Sequence, residues 1–299
     1  YDNMGRACRD LADELGVAPR VNGHSYSAAQ PAAGGGKKKT WRPQHPVPSK
    51  TPSPDFTHHK HGQPSATWFY LDAEGRLIGY VCRFDKSNGG KEIVPLSYCR
   101  DDDGNFAWRW LSFAKPRPLY GLAELATRPD ANVIVTEGEK DADAARRLFP
   151  SQVVVTWPGG SKAHHLANWS PLEGRKVVLW PDADEPGRQC MDGWVDDKGV
   201  WQSGIAQLLS DKAAGVRVIV TPEDVKKGWG AADLEAEGVA DPMAWLRQRL
   251  RAPTDPPAAP EDMAPAPEDY GIPADYDDGP GAGPLDTFAG APFRVLGYN

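Results

Sequence analysis

The stretch VVLWPDADEPGRQ, residues 177–189, opens with four apolar residues and a proline, then places Asp182, Asp184 and Glu185 within four positions. Like charges this close repel one another, so a fold keeps them only in water or joined by something positive. An apolar run that ends in acids is what a buried strand looks like when it delivers side chains to an open edge. Alternation along an extended chain points Asp182 and Asp184 the same way, so both can face one ion.

Three other runs share this texture. NVIVTE (132–137), QVVVTW (152–157) and VRVIVT (216–221) stand beside RKVVLWP (175–181) as near-continuous apolar strands. Strands of that kind belong to parallel sheets covered on both faces. Helix-like segments separate them: KDADAARRLF (140–149), WQSGIAQLLSDKAAG (201–215) and PMAWLRQRL (242–250). The loop PGGSKAHH and a short helix follow the second strand, while QCMDGWVDDKGVW (189–201) reads as a long loop before its helix. The alternation predicts an α/β, doubly wound parallel sheet of about four strands over residues 129–251.

The remaining chain is of a different character. Residues 3–16 predict a short helix (domain 1–20) with Met4, Ala7, Cys8, Leu11 and Leu15 on one face. Residues 21–64 are rich in Gly, Pro and Lys and read as a mobile basic linker. Its GGGKKKT lacks both the glycine spacing of a phosphate-binding loop and a preceding strand. TWFYLDAEGRLIGYVCRFD and KEIVPLSYCRDDDGNFAWRWLSF predict two hairpins, turning at Ala73–Gly75 and Asp103–Asn105, within a small antiparallel module at 65–128. Residues 252–292 are acidic and Pro-rich, predicting a disordered linker, and 293–299 turn apolar as if starting another domain.

Charge and cysteines narrow the classes. The 299 residues carry a net charge of −7, but residues 252–299 hold nine acids and one base, and the remainder is close to neutral. The overall sign therefore says little about partners. The four cysteines contain no C-x-x-C, which argues against a disulfide framework and against a zinc site in this chain. With no apolar run of membrane length and no leader-like opening at Tyr1, the expectation is a cytoplasmic protein without a membrane partner. A first residue other than Met suggests a fragment.

In an open parallel sheet, ligands collect beyond the carboxyl ends of the strands. Glu137 ends the first strand, Asp141 lies one helical turn further on, and Asp182 and Asp184 follow the third. Acids there also offset a helix dipole by about 0.3–1 kcal/mol each, and Asp beside Pro-Gly is ordinary turn chemistry. A calcium loop fails, because Pro186 and Gly193 occupy ligand positions and a strand precedes. Carboxylates grouped without cysteine favour a hard cation, Mg²⁺ or Mn²⁺.

Taken together, VIVTEGEKDA, PGGS and PDADEPGR resemble the Toprim domain of bacterial-type primases, topoisomerases and some nucleases. That family pairs a strand ending in Glu-Gly, with Asp four residues after the Glu, with a later strand ending in Asp-x-Asp. Glu137, Gly138 and Asp141 match the first element, Asp182 and Asp184 the second. The flank GYVCRFD…RWLSFAKPRPLYGLAEL is similar to the small subdomain that precedes Toprim in bacterial-type primases. A third acidic element, GxDxxD in those relatives, stands here as KGWGAADL: Asp233 matches its second acid, and Gly230 replaces the first.

The resemblance implies the catalytic core of a DNA primase, of phage or plasmid primase-helicase type, which makes short RNA primers from NTPs on single-stranded DNA. By the same resemblance Asp182 and Asp184 hold Mg²⁺, with Asp141 and Asp233 as further ligands, and Glu137 is a ligand or a general base. Arg83, Arg109 and Lys115 fall where the family contacts template or nucleotide; with Lys86, Lys91 and Arg117 they are expected to form a ridge along the template, and Gly159–Gly160 would let backbone N–H groups approach phosphate. Trp68, Tyr80, Trp108 and Trp110 either stack bases or pack the hairpins. A helicase domain would follow residue 299, and a zinc-binding module would lie upstream or be lacking. A Toprim nuclease, or a binding module weakened by Gly230, are the alternatives; a topoisomerase needs a tyrosine-bearing domain not seen in this sequence.

Overall fold

The computed structural model describes residues 39–257, of which 39–256 lie in one compact unit, so the expectations for 1–38 and 258–299 fall outside the described residues. Two sheets organise it. The first is antiparallel, with order β1-β4-β3-β2 and β5 paired to β4. Its strands are β1 (Trp41–Pro43), β2 (Ala66–Leu71), β3 (Leu77–Asp85), β4 (Lys91–Asp101) and β5 (Phe106–Arg109). Both expected hairpins are present as β2–β3 and β4–β5, and β3–β4 forms a third antiparallel pair.

The expected linker is corrected over 39–64. Trp41 pairs with Asp101 in the sheet, and the turn His58–Gly62 is closed by hydrogen bonds in both directions, each 2.8 Å. Aromatic residues hold this segment down: Phe56 meets Tyr80 edge-on at 5.0 Å, and the Trp108 indole donates to the Pro52 carbonyl at 2.8 Å. These are contacts that composition alone does not report.

After helix α1 (Leu122–Thr127) comes the second sheet, order β12-β11-β8-β6-β7. Strands β6 (Val133–Thr136), β7 (Val153–Val155), β8 (Lys176–Trp180) and β11 (Gly215–Ile219) are parallel, while β12 (Leu250–Arg251) closes one edge antiparallel to β11. The remaining elements are α2 (Glu139–Leu148), α3 (Glu185–Asp192), a small hairpin of β9 (Trp194–Val195) and β10 (Trp201–Gln202), α4 (Ile205–Leu209), α5 (Ala231–Glu237) and α6 (Pro242–Gln248). Two expectations change here. The helix expected over 201–215 shrinks to α4, and the loop expected at 189–201 is the end of α3 followed by a hairpin. Asp184 starts α3 by accepting from the Gly187 N–H at 2.9 Å, a cap that the hydrophobic pattern did not signal.

Alternate residues of each parallel strand enter different cores. Val133, Val135, Val177, Leu179 and Val218 pack with Met191, Ile205 and Leu209 on one face. Ile134, Val154, Trp180 and Ile219 pack with Ala142, Ala145, Leu234 and Leu246 on the other. Burial on both faces is why these strands read as continuous apolar runs. The antiparallel sheet joins the second core through Trp68, Tyr70 and Val81.

Polar groups lock that junction. The fully buried Tyr70 hydroxyl donates to the buried Glu139 carboxylate at 2.7 Å. Asp143 accepts from the Trp68 indole at 2.8 Å, the Tyr120 hydroxyl at 2.9 Å and Arg146 at 2.8 Å. The sequence reading missed Glu139, since nothing local marks it as buried. Tyr70→Phe leaves Glu139 without that donor and should destabilise the protein by about 1–3 kcal/mol, checked by urea denaturation.

Candidate metal and nucleic-acid site

The strand order of the parallel sheet locates a crevice. Strands β6 and β8 are neighbours, but the chain leaves β6 into α2 on one face and leaves β8 into α3 on the other. Where connections part in this way, the space beyond the carboxyl ends is open to a ligand. Glu137 follows β6 directly and Asp182 follows β8 after one proline.

The acids converge there from separate places in the chain. A Cβ placed on Gly230 would lie 2.7 Å from Asp141 Oδ1 and 3.2 Å from Asp182 Oδ1, so both oxygens crowd the same point. Backbone contacts make this approach rigid. Ala183 donates to the Trp229 carbonyl at 2.9 Å, and Asp141 Oδ1 accepts from the Ala232 N–H at 2.9 Å. Gly187 is needed as well, because a Cβ there would meet the Asp182 carbonyl oxygen at 2.6 Å. The glycines of PDADEPG and GWGAAD are thus the steric condition for bringing Asp182 and Asp141 together.

Electrostatics registers the crowding. Burial, then the charges of Glu137 and Asp141, push the Asp182 carboxyl up to about 8, against a smaller opposing pull from Lys91. Glu137 is raised by burial and by Asp184, and its Oε2 atom is buried without a hydrogen-bond partner. Asp141 is raised mainly by burial and also feels Asp233. All three carboxyls thus resist ionisation, a cost that a bound cation would relieve.

The donor set fits one kind of ion. No group of three or more His, Cys, Asp or Glu side chains among the described residues could enclose a metal. Mg²⁺ keeps several waters and is held by one or two carboxylates plus substrate phosphates, so the oxygen-only pair Asp141 and Asp182 suits it. Asp184 has one oxygen occupied as the α3 cap. Asp233 is drawn to Lys226 at 2.5 Å and to the Gly230 N–H at 3.2 Å, next to Asp141.

The basic residues divide. Register places Arg83, Lys91 and Arg109 on the same face of the antiparallel sheet as Trp68 and Tyr70, the face turned to α2. Lys91 is the cation whose field reaches Glu137, Asp141 and Asp182. Arg83 is paired with Asp85 at 2.7 Å, and Arg109 lies over the Trp41 ring at 4.6 Å. Arg117 donates to the Pro158 carbonyl at 3.2 Å and packs against Gly159, whose added Cβ would meet its Nη1 at 2.7 Å. Lys115 is exposed. Gly160 leads into a short 3₁₀ segment, Ser161–Leu166, and the polar groups of Ser161 favour the charged form of Glu137 against the larger effect of burial. Ser161 is a site residue that the sequence reading passed over, although it sits in the quoted PGGS.

Of the aromatics named for stacking, Trp68 is buried against Asp143, and Tyr80 and Trp108 pack on each other at 5.5 Å. Trp110 meets His58 edge-on at 4.9 Å. All four rings thus make packing contacts inside the protein.

No family model and no curated protein matches the chain. The solved structures to which it is similar are those of DNA primase catalytic cores. One is that of the bacteriophage T7 lagging-strand DNA polymerase with primase domains of two gp4 subunits bound to an RNA/DNA hybrid and dTTP, at 22% identity and a TM-score of 0.38, covering 63% of this chain and 78% of the other. A second is the primase fragment of the bacteriophage T7 primase-helicase protein, at 20% identity, TM-score 0.35 and 60% of each chain. A third is the DnaG primase catalytic domain bound to single-stranded DNA, at 17% identity and TM-score 0.36, covering 62% of this chain and 51% of that one. The chain therefore spans less than two thirds of the second and third.

Two tests follow from the acid cluster. Asp182 has its carboxyl raised from 3.8 to about 8, so its protonated form stabilises the fold, and that contribution fades as pH rises across this window. Without divalent ions, melting should weaken by up to about 1.4 kcal/mol per pH unit there, and Asp182→Asn should flatten the slope. Gly230→Ala drives a methyl into the two carboxylates and should weaken Mg²⁺ binding at least tenfold by isothermal titration, with far-ultraviolet circular dichroism unchanged.

Proposed function

We propose that this chain is the Toprim-type catalytic core of a DNA primase, joining NTPs into a short RNA primer on single-stranded DNA with Mg²⁺ or Mn²⁺. The observation that carries the reading is the convergence of Glu137, Asp141 and Asp182 at the point where the sheet's connections diverge, opposite a basic face that includes Lys91. The motif resemblance of VIVTEGEKDA and PDADEPGR supports the same assignment.

Primer extension forms a bond between a 3′ hydroxyl oxygen and the α-phosphorus of an NTP, breaks the bond to the β-phosphate oxygen and releases pyrophosphate. Asp182 and Asp141 would hold the divalent ion, which would supply charge neutralisation to the phosphates, with Asp184 capping α3 close by. Glu137 suits the proton acceptor: its carboxyl is raised and one oxygen is unpartnered. Ser161 would help Glu137 to ionise when it takes the proton. Lys91 faces the acids from the antiparallel sheet and would bind the triphosphate, with Arg83 and Arg109 along the same face toward the template. Lys115 and Arg117 would extend that contact, and Arg117 also braces the Gly159–Gly160 turn. A helicase domain beyond residue 299 belongs to the same proposal.

A Toprim nuclease would use the same acids, and activity separates the two. Incubation with labelled NTPs, Mg²⁺ and single-stranded templates of varied sequence should yield short RNA products. Asp182→Ala should reduce the yield at least a hundredfold. Cutting of a labelled strand with no NTP incorporation would assign the nuclease instead.

A further inference from the structure

The segment HHKH, residues 58–61, has no place in the acid site, yet the fold presents it with care. His58 is 7% exposed and anchored beneath: its ring meets Trp110 edge-on at 4.9 Å and Phe84 at 5.5 Å. Its Nδ1 accepts the Lys60 N–H at 3.1 Å, which leaves its ring fixed in the turn. The turn itself is closed by the reciprocal His58–Gly62 bonds and braced by Gln63 donating to Thr57 at 2.6 Å. On this base His59 and His61 each stack on His58, with ring centroids 4.4 and 4.5 Å away and planes 29° and 25° apart.

The tip is thus a preformed set of near-parallel rings with Lys60 exposed between them. Near-parallel rings do not converge their nitrogens on one ion, in keeping with the lack of a metal cluster among the described residues. What they offer is π-face and positive charge side by side, the combination that binds single-stranded nucleic acid without base preference. Its position suits that use. His61 packs on Phe84 at 5.4 Å, Phe84 pairs with Glu92, and Lys91, whose field reaches the acids, is the next residue. Alternation puts Phe84 and the tip on the face opposite Lys91, but at the same end of the antiparallel sheet, so a strand leaving the tip reaches the acids around that end.

We infer that the His59–Lys60–His61 tip is a stacking step for single-stranded DNA on its way to the acid site. This rests on the nucleic-acid reading proposed above and adds a contact to it. The test uses the whole 299-residue chain and two labelled 20-nucleotide strands, oligo-dT and its fully abasic counterpart, followed by fluorescence anisotropy over a KCl series. His59→Ala with His61→Ala should weaken oligo-dT binding about five- to thirtyfold, leaving the abasic strand and the salt slope unchanged. The double variant His59→Phe/His61→Phe keeps the rings and should keep the affinity, which guards against a simple folding defect. Equal losses on both strands, or no loss on oligo-dT, would overturn the stacking step while sparing the acid-site reading. Failure of the unaltered chain to bind either strand would overturn both.

Discussion

Repulsion among half-buried carboxylates is the constraint around which this protein is arranged. Burial first of all raises Glu137, Asp141 and Asp182, and neighbouring acids add to it: Asp184 acts on Glu137, Asp233 on Asp141, and Glu137 with Asp141 on Asp182. Such a cluster opposes folding unless a proton or a cation joins it. The surrounding structure consists of devices that hold the acids together in spite of this. Gly230 and Gly187 remove the side chains that would keep Asp141 and Asp182 apart, and the Ala183–Trp229 and Asp141–Ala232 hydrogen bonds fix the loops around them.

A second constraint fixes where the basic face sits. The antiparallel sheet meets α2 through Tyr70–Glu139 and the Asp143 network, and α2 also carries Asp141 in its first turn. One helix therefore sets both the position of an acid and the docking of the sheet that bears Lys91. A buried carboxylate such as Glu139 is stable there only because a buried hydroxyl donates to it. Shifting that contact would move the cation relative to the acids, so packing and electrostatics are coupled at this seam.

Gly230 changes meaning between sequence and structure. As a departure from an acidic pattern it suggested an incomplete site; in the fold it is the space into which two carboxylates project. A pair of carboxylates, completed by water and phosphate, is a common way to hold Mg²⁺, and a third protein ligand is not required.

The sequence by itself was enough for the parallel strands, because burial on both faces writes an unbroken apolar run, and for the acids at their ends. β6, β7, β8 and β11 fall within a residue or two of the expected spans. It was not enough for α3, whose start depends on a capping bond, nor for the ordered segment 39–64, which is held by rings distant in sequence. Nor did it reveal Glu139, Ser161 or the purpose of Gly230. Those depend on which atoms arrive at the same place from different strands and helices, and local pattern carries no record of such meetings. Strand and helix periodicity is a property of neighbours along the chain; a shared site is a property of neighbours in space.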